Sequence, residues 1–142
     1  MNLLDANVWL ASSWRNHEGH QRASKWLGGS PGPLGICRVT QMGFLRLSTV
    51  TAIAGTDTLT RREAWRALDQ LRAQPKVAWL SEPEGLERVW RALSAGDNHD
   101  HKLWTNDYLA AFAQAGDFTL VTFDRTFSKR YPSVDVEVID PR

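Results

Sequence analysis

Three aspartates stand where a carboxylate can do more than face water. Asp5 follows the short apolar run Leu3-Leu4, and Asp124 follows the apolar run Phe118 to Phe123, the best strand signal in the chain. In open parallel sheets ligands bind outside the carboxyl ends of the strands, so two strands that both end in Asp can point two carboxylates into one crevice. Either residue alone is explained as well by N-capping the next helix; the coincidence of two favours a site. Asp107 opens the helical segment Asp107-Tyr108-Leu109-Ala110-Ala111-Phe112-Ala113, and Ala110 and Ala111 make its face small enough to approach a sheet closely. The plain reading of Asp107 is a first-turn acid favoured by the helix dipole. Its face looks inward, however, and an unpaired buried charge is costly. Three clustered carboxylates cannot all ionise without a counter-charge. Mg²⁺ supplies one, because it takes one or two carboxylates, keeps several waters and suits phosphate substrates. Water on such an ion is a usable nucleophile near neutral pH. The chemistry implied is hydrolysis of a phosphodiester.

The elements that must carry these acids alternate along the chain. Helical turns begin at Val8-Trp9-Leu10-Ala11, and a helix is predicted over roughly His17 to Leu27, stopped by Gly28-Gly29. Leu34 to Cys37 reads as a short strand and Val39 to Leu47 as a helix. Thr60-Arg61-Arg62-Glu63 and Ser81-Glu82-Pro83-Glu84 both match the capping box. The first is followed by the apolar set Ala64, Trp65, Leu68 and Leu71, and the second by Leu86, Val89, Trp90 and Leu93. Val77 to Leu80 is a strand-length apolar run between them, and Thr105 is the expected N-cap of a helix through Ala115. Val134 to Ile139 gives an alternating strand suited to an edge, while Ser48 to Asp57 reads as a loop with helical fragments. Short apolar strands separated by helices predict an α/β domain with a short, mostly parallel sheet of about four to five strands. The 142 residues are expected to form a single domain, 1–142.

With that order in place, L-L-D-A-N-V, T-N-D-Y-L-A-A-F-A and L-V-T-F-D-R-T-F together resemble the PIN domain, and more narrowly the VapC-type toxins of bacterial toxin–antitoxin pairs. T-Q-M-G-F-L-R-L after the second strand fits the same branch. Each motif is short; their order and spacing over the whole chain carry the resemblance. It implies a three-layer α/β/α fold and a Mg²⁺-dependent endoribonuclease, with Mn²⁺ a possible substitute. Asp5, Asp107 and Asp124 would be the metal-binding acids, with Asn7 and Thr122 as polar groups supporting them. Gln41 stands where most of the family has Glu, which removes one carboxylate and lowers the expected metal affinity. Gln41 would orient the attacking water. The resemblance also implies a small VapB-type antitoxin whose tail occludes the cleft, and dimerisation. The alternative is a PIN fold that binds RNA or antitoxin and has lost turnover with its fourth acid. A dehalogenase-like phosphatase using Asp5 as nucleophile is disfavoured, since D-x-D would need Asp where Asn7 stands and Asp100 follows Gly96-Asp97 one residue early.

Charge neither supports nor opposes an RNA substrate: 17 Lys+Arg against 16 Asp+Glu give +1. An acidic pocket with a basic rim would nearly cancel in that sum, so the expectation becomes spatial. Asp5, Asp107 and Asp124 should converge in one cleft with Arg38, Arg46 or Arg125 at its edge, while Arg61 to Arg72 are explained as surface charge. Arg125, beside Asp124, is placed either on a phosphate or on the acids. Among the seven Trp residues, Trp26, Trp65, Trp79 and Trp90 fall at core-compatible positions, whereas Trp9, Trp14 and Trp104 lie close in sequence to the acids. Asp97-Asn98-His99-Asp100-His101 is read as a solvated loop rather than a transition-metal site, since His-x-His has no third fixed ligand. A single Cys37, no signal-peptide pattern and no run near the ~18 apolar residues of a membrane span lead to the expectation of a soluble cytoplasmic protein.

Overall fold

In the computed structural model, residues 1–140 are described. Five parallel strands form one sheet: β1 (Asn2–Leu4), β2 (Leu34–Ile36), β3 (Val77–Trp79), β4 (Thr119–Thr122) and β5 (Val136–Val138), in the order β3-β2-β1-β4-β5. The chain starts in the middle, builds outward through β2 and β3, then crosses to the other side for β4 and β5. The strand order therefore reverses between β1 and β4, whose register pairs Leu3 with Leu120 and Leu4 with Val121. A reversal of this kind opens a crevice at the carboxyl end of the sheet.

Side-chain alternation along these strands produces the layers. Leu3 and Leu120 join one buried cluster, with Cys37, Leu109, Phe112 and Phe127; Leu4 and Val121 join the other, with Trp9, Ile36, Phe44 and Leu68. The first cluster lies under α6 (Leu86–Ser94), α7 (Leu103–Gly116) and α8 (Phe127–Arg130). The second lies under α1 (Ala6–Ser13), α3 (Arg38–Ser48) and α5 (Arg61–Arg72). With α2 (His20–Gly29) packed on α1, the result is the expected three-layer α/β/α arrangement. Among the described residues no helix is long and apolar enough to cross a membrane.

Two close approaches set the geometry near the crevice. Gly43 lets α3 cross the start of α1, since a Cβ there would stand 2.7 Å from the Ala6 Cβ. Residues Asp107 to Ala113 of α7 are all buried, the three alanines keeping this helix tight against the sheet.

Local signals succeeded where nothing competed with them. Thr60 and Glu63 form the capping box of α5, with reciprocal bonds of 3.1 and 2.9 Å. The second box does not form. The Leu80 N–H instead bonds the Ile36 carbonyl at 2.8 Å, and α6 begins only after Gly85, whose φ of +80° makes the turn. The predicted start of α7 is also corrected: the helix begins at Leu103, not after a Thr105 cap, so Asp107 lies beyond its first turn. The helix dipole thus loses its claim to explain that acid. His17 precedes α2, which runs through Gly28 and Gly29 rather than stopping before them. Trp65 is 50% exposed, and the buried stripe of α5 is Ala64, Leu68 and Leu71. Ser48 to Asp57 resolves into α4 (Thr51–Ala54) and a 3₁₀ turn, held where Trp14 and Asn16 both donate to Asp57 Oδ2.

Candidate functional site

The reversal point carries two of the three acids. Asp5 follows β1 directly and caps α1, its Oδ1 accepting the Ala6 N–H at 2.7 Å. Its Oδ2 accepts the Thr122 hydroxyl at 3.0 Å, and the same hydroxyl oxygen accepts the Asp124 N–H at 3.1 Å. One buried threonine at the end of β4 thus ties both strand-end acids together. Asp124 Oδ1 accepts the N–H and hydroxyl of Thr126, at 2.9 and 2.7 Å, in an Asx-type turn that fixes its carboxylate.

The electrostatics of this pair are unfavourable as it stands. Burial pushes the Asp5 carboxyl above its ordinary range; the bonds from Thr122 and Ala6 oppose the shift, and the neighbouring Asp124 charge adds to it. Among the described residues neither acid forms an ion pair. Arg125 turns away to Asp140 at 3.1 Å, so its predicted pairing with the acids is not what the structure shows. Two close, half-buried carboxylates without a cation partner form an oxygen donor set suited to a hard divalent ion.

Asp107, on α7, is occupied differently. It is 6% exposed and accepts the Tyr131 hydroxyl, one residue past α8. Burial and this bond together push the Tyr131 phenol well above its ordinary range. Asp107, Tyr131 and Arg130 line a pocket with His99, Asp100, His101 and Trp104. Among the described residues no group of three or more His, Cys, Asp or Glu side chains is arranged to hold a metal ion. The structure therefore brings Asp5 and Asp124 together and gives each of the three acids a protein donor; a convergent three-acid ligand set is not assembled.

Gln41 is 3% exposed, on the first turns of α3, and its Oε1 accepts Arg38 Nη1 at 2.6 Å. The Gly43–Ala6 crossing places this part of α3 beside the helix that Asp5 caps. Thr122 donates to Asp5 and accepts the Asp124 N–H. Asn7 does neither: it is exposed on α1 and holds neither acid. Arg46 is also exposed, and five residues beyond Gln41 it points to a different side of α3 at 100° per residue. Trp9 is fully buried and Trp14 is bonded to Asp57, whereas Trp104 is 58% exposed.

Sequence reasoning missed Tyr131 as the partner of Asp107, and no local signal pointed to it. The Thr126 contact was legible, because D-R-T is an Asx-turn pattern. The Asp97–His101 segment is exposed and built from two successive turns, Asn98 Oδ1 accepting from the Asp100 N–H and Asp100 Oδ1 from the Lys102 N–H. It is an exposed loop.

Comparison with known proteins gives a consistent answer. The family model described as PIN domain matches residues 3–131. The chain is 37% identical to Ribonuclease VapC41 of Mycobacterium tuberculosis, over 98% of this chain and 99% of that protein. It is 30% identical to Ribonuclease VapC44 of the same species, over 89% and 87%. Among solved structures, VapBC2 from Rickettsia felis bound to a promoter DNA fragment superposes with a TM-score of 0.67 at 13% identity, over 98% of both chains. FitAB bound to a DNA fragment gives 0.66 at 17% identity, over 97% of this chain and 94% of that one.

Proposed function

The chain belongs to the PIN-domain family, in its VapC branch, and from that premise we propose that it is a divalent-metal-dependent endoribonuclease acting as the toxin of a toxin–antitoxin pair. The observation that carries this reading is the Asp5–Thr122–Asp124 network at the reversal point of the sheet, two tied carboxylates without a protein cation. Relatives named as ribonucleases support the reaction class, and toxin–antitoxin complexes among the structural neighbours support the pairing. The phosphatase alternative has no support from this family.

Asp5 and Asp124 would hold Mg²⁺, or Mn²⁺ in its place, with Asp107 joining when its bond to Tyr131 gives way. When bound, the ion supplies Lewis acidity at a phosphoryl oxygen and lowers the pKa of a water that can attack. The chain's own groups do the rest. Thr122 fixes the orientation of Asp5 Oδ2 while accepting from the Asp124 backbone, so both acids keep one geometry as substrate arrives. Thr126 fixes the other acid. Gln41 offers an amide near the start of α3 to orient water, and Arg38, which holds that amide, presents its guanidinium to the phosphate backbone.

Partners follow from the same reading: an RNA substrate, a small VapB-type antitoxin and a second copy of the chain, in the cytoplasm. In support, the consecutive helices α3, α4 and α5 each expose a large apolar side chain: Met42, Ile53 and Trp65. Purified protein is expected to cleave RNA only with divalent metal, and Asp5→Asn to abolish cleavage; equal cleavage by that variant overturns the proposal. One observation favours a second reading, a weakened RNA- or antitoxin-binding module. The Gln41 Oε1 is already taken by Arg38, and it brings no charge. A silent wild type with an active Gln41→Glu variant supports that module, and an active wild type ends it.

A further inference from the structure

Two cations on the β3 side of the sheet lack the carboxylate partners that surface arginines commonly find. Trp79 ends β3, and its ring centre lies 4.7 Å from the Arg38 guanidinium carbon and 4.4 Å from that of Arg72. Arg38 is the first residue of α3 and Arg72 the last of α5, so two helices and an edge strand converge on one indole. The two guanidinium carbons therefore stand no more than about 9 Å apart. Among the described residues neither forms an ion pair. Glu82, which lines a groove with Arg38, is engaged by the Tyr108 hydroxyl at 2.7 Å.

Like charges held this close repel, and attraction to the indole face keeps them in place. An anion that contacts both guanidinium groups offsets the repulsion. The guanidinium fork matches phosphate oxygens two at a time, and a fork already oriented loses less freedom on binding. Arg38 is oriented twice over, by the indole and by its bond to Gln41 Oε1. Through Gln41 the arginine pair is continuous with the candidate site. An RNA strand cut in the crevice carries further phosphates on both sides of the scissile one, so a cationic seat beside the crevice fits that polymer.

We infer that Arg38, Trp79 and Arg72 form a clamp for the sugar–phosphate backbone of single-stranded RNA flanking the scissile phosphate. Trp79 is the positioning residue: its ring is covered by guanidinium groups, so it seats two cations instead of stacking on a base. This rests on the ribonuclease reading. It also gives Arg72 and Trp79 a role that surface charge and core packing do not.

The test is the affinity of a labelled mixed-sequence single-stranded RNA, read by fluorescence anisotropy across a KCl series in EDTA, where nothing is cleaved. Arg72→Gln is expected to make the slope of log K against log salt shallower by about 0.7, the counterion release of one single-strand phosphate contact. Trp79→Leu is expected to lose more than that, because both guanidinium groups lose their seat, and Arg72→Lys to keep the slope while binding several-fold more weakly. If Trp79→Leu melts early, Arg72→Gln, an exposed change at a helix end, decides between the outcomes. An unchanged slope in Arg72→Gln overturns the clamp, as does a variant that keeps RNA binding and loses an acidic protein partner. Failure of the ribonuclease reading looks different: wild-type protein then binds no RNA in this series, or its cleavage survives Asp5→Asn. Asp5-dependent cleavage with a wild-type slope in Arg72→Gln removes the clamp alone.

Discussion

The strand-end acids and the acid on α7 are held by different means. On the β1–β4 side, Asp5 and Asp124 take donors from the end of β4 and from the segments that follow β1 and β4: the Ala6 amide, the Thr122 hydroxyl, and the amide and hydroxyl of Thr126. Two of these donors are backbone amides, so no single side-chain rotation removes them all. On the α7 side, Asp107 leans on one phenol from the segment after α8. That bond can be exchanged for another partner at the cost of a side-chain rotation. The first side is fixed and charge-frustrated; the second is satisfied and replaceable.

The largest expected effect breaks the fixed side. Asp124→Asn should abolish metal-dependent cleavage as Asp5→Asn does, measured with a labelled RNA in Mg²⁺; retained turnover would detach β4 from the chemistry. Next comes the tie between the two acids. Thr122→Val removes the hydroxyl without adding bulk, and loss of a group supporting ligating carboxylates typically costs about 10–100-fold in metal affinity or activity. A Mg²⁺ titration of the cleavage rate reads that loss.

Tyr131→Phe tests the replaceable side. It leaves a buried carboxylate without its donor, costing about 1–3 kcal/mol in metal-free protein by urea unfolding. If Asp107 is free to join a bound ion, Mg²⁺ restores much of that loss and half-maximal cleavage shifts to lower Mg²⁺. An equal loss with and without Mg²⁺ would leave Asp107 outside the ligand set.

The smallest effect is electrostatic. Asp5 has a folded pKa raised above its value of 3.8 in the free chain, so the folded protein holds that proton to higher pH. Its contribution to stability is therefore present below the unfolded value and is lost as pH rises through the folded one. Asp5→Asn, which cannot ionise, should melt higher than wild type in EDTA at neutral pH, and the gap should close as pH falls below 3.8. A gap independent of pH would mean that the frustration is not where the geometry puts it.

What was legible in the sequence was mostly local. The Thr60–Glu63 box formed because its partners are three residues apart and exposed. Ser81–Glu84 has the same pattern and failed, because β3 pairing still claims the backbone just before it and the helix starts only after the Gly85 turn. The strand-end acids were found because position relative to an apolar run is a one-dimensional fact. The bond from Tyr131 to Asp107 spans 24 residues, and the meeting of Arg38, Arg72 and Trp79 depends on β3 being an edge strand. Both belong to topology, which spacing along the chain does not encode.

The strand order also fixes when the site can exist during synthesis. β1 is made first and sits at the centre of the sheet, but the hydroxyl that completes its acid lies 117 residues downstream, on β4. Thr122 therefore leaves the ribosome 117 residues after Asp5, with Asp124 two residues later. Incomplete products that stop short of β4 carry half a site, so the nuclease proposed here would be harmless to the machinery translating it until nearly the last strand is made.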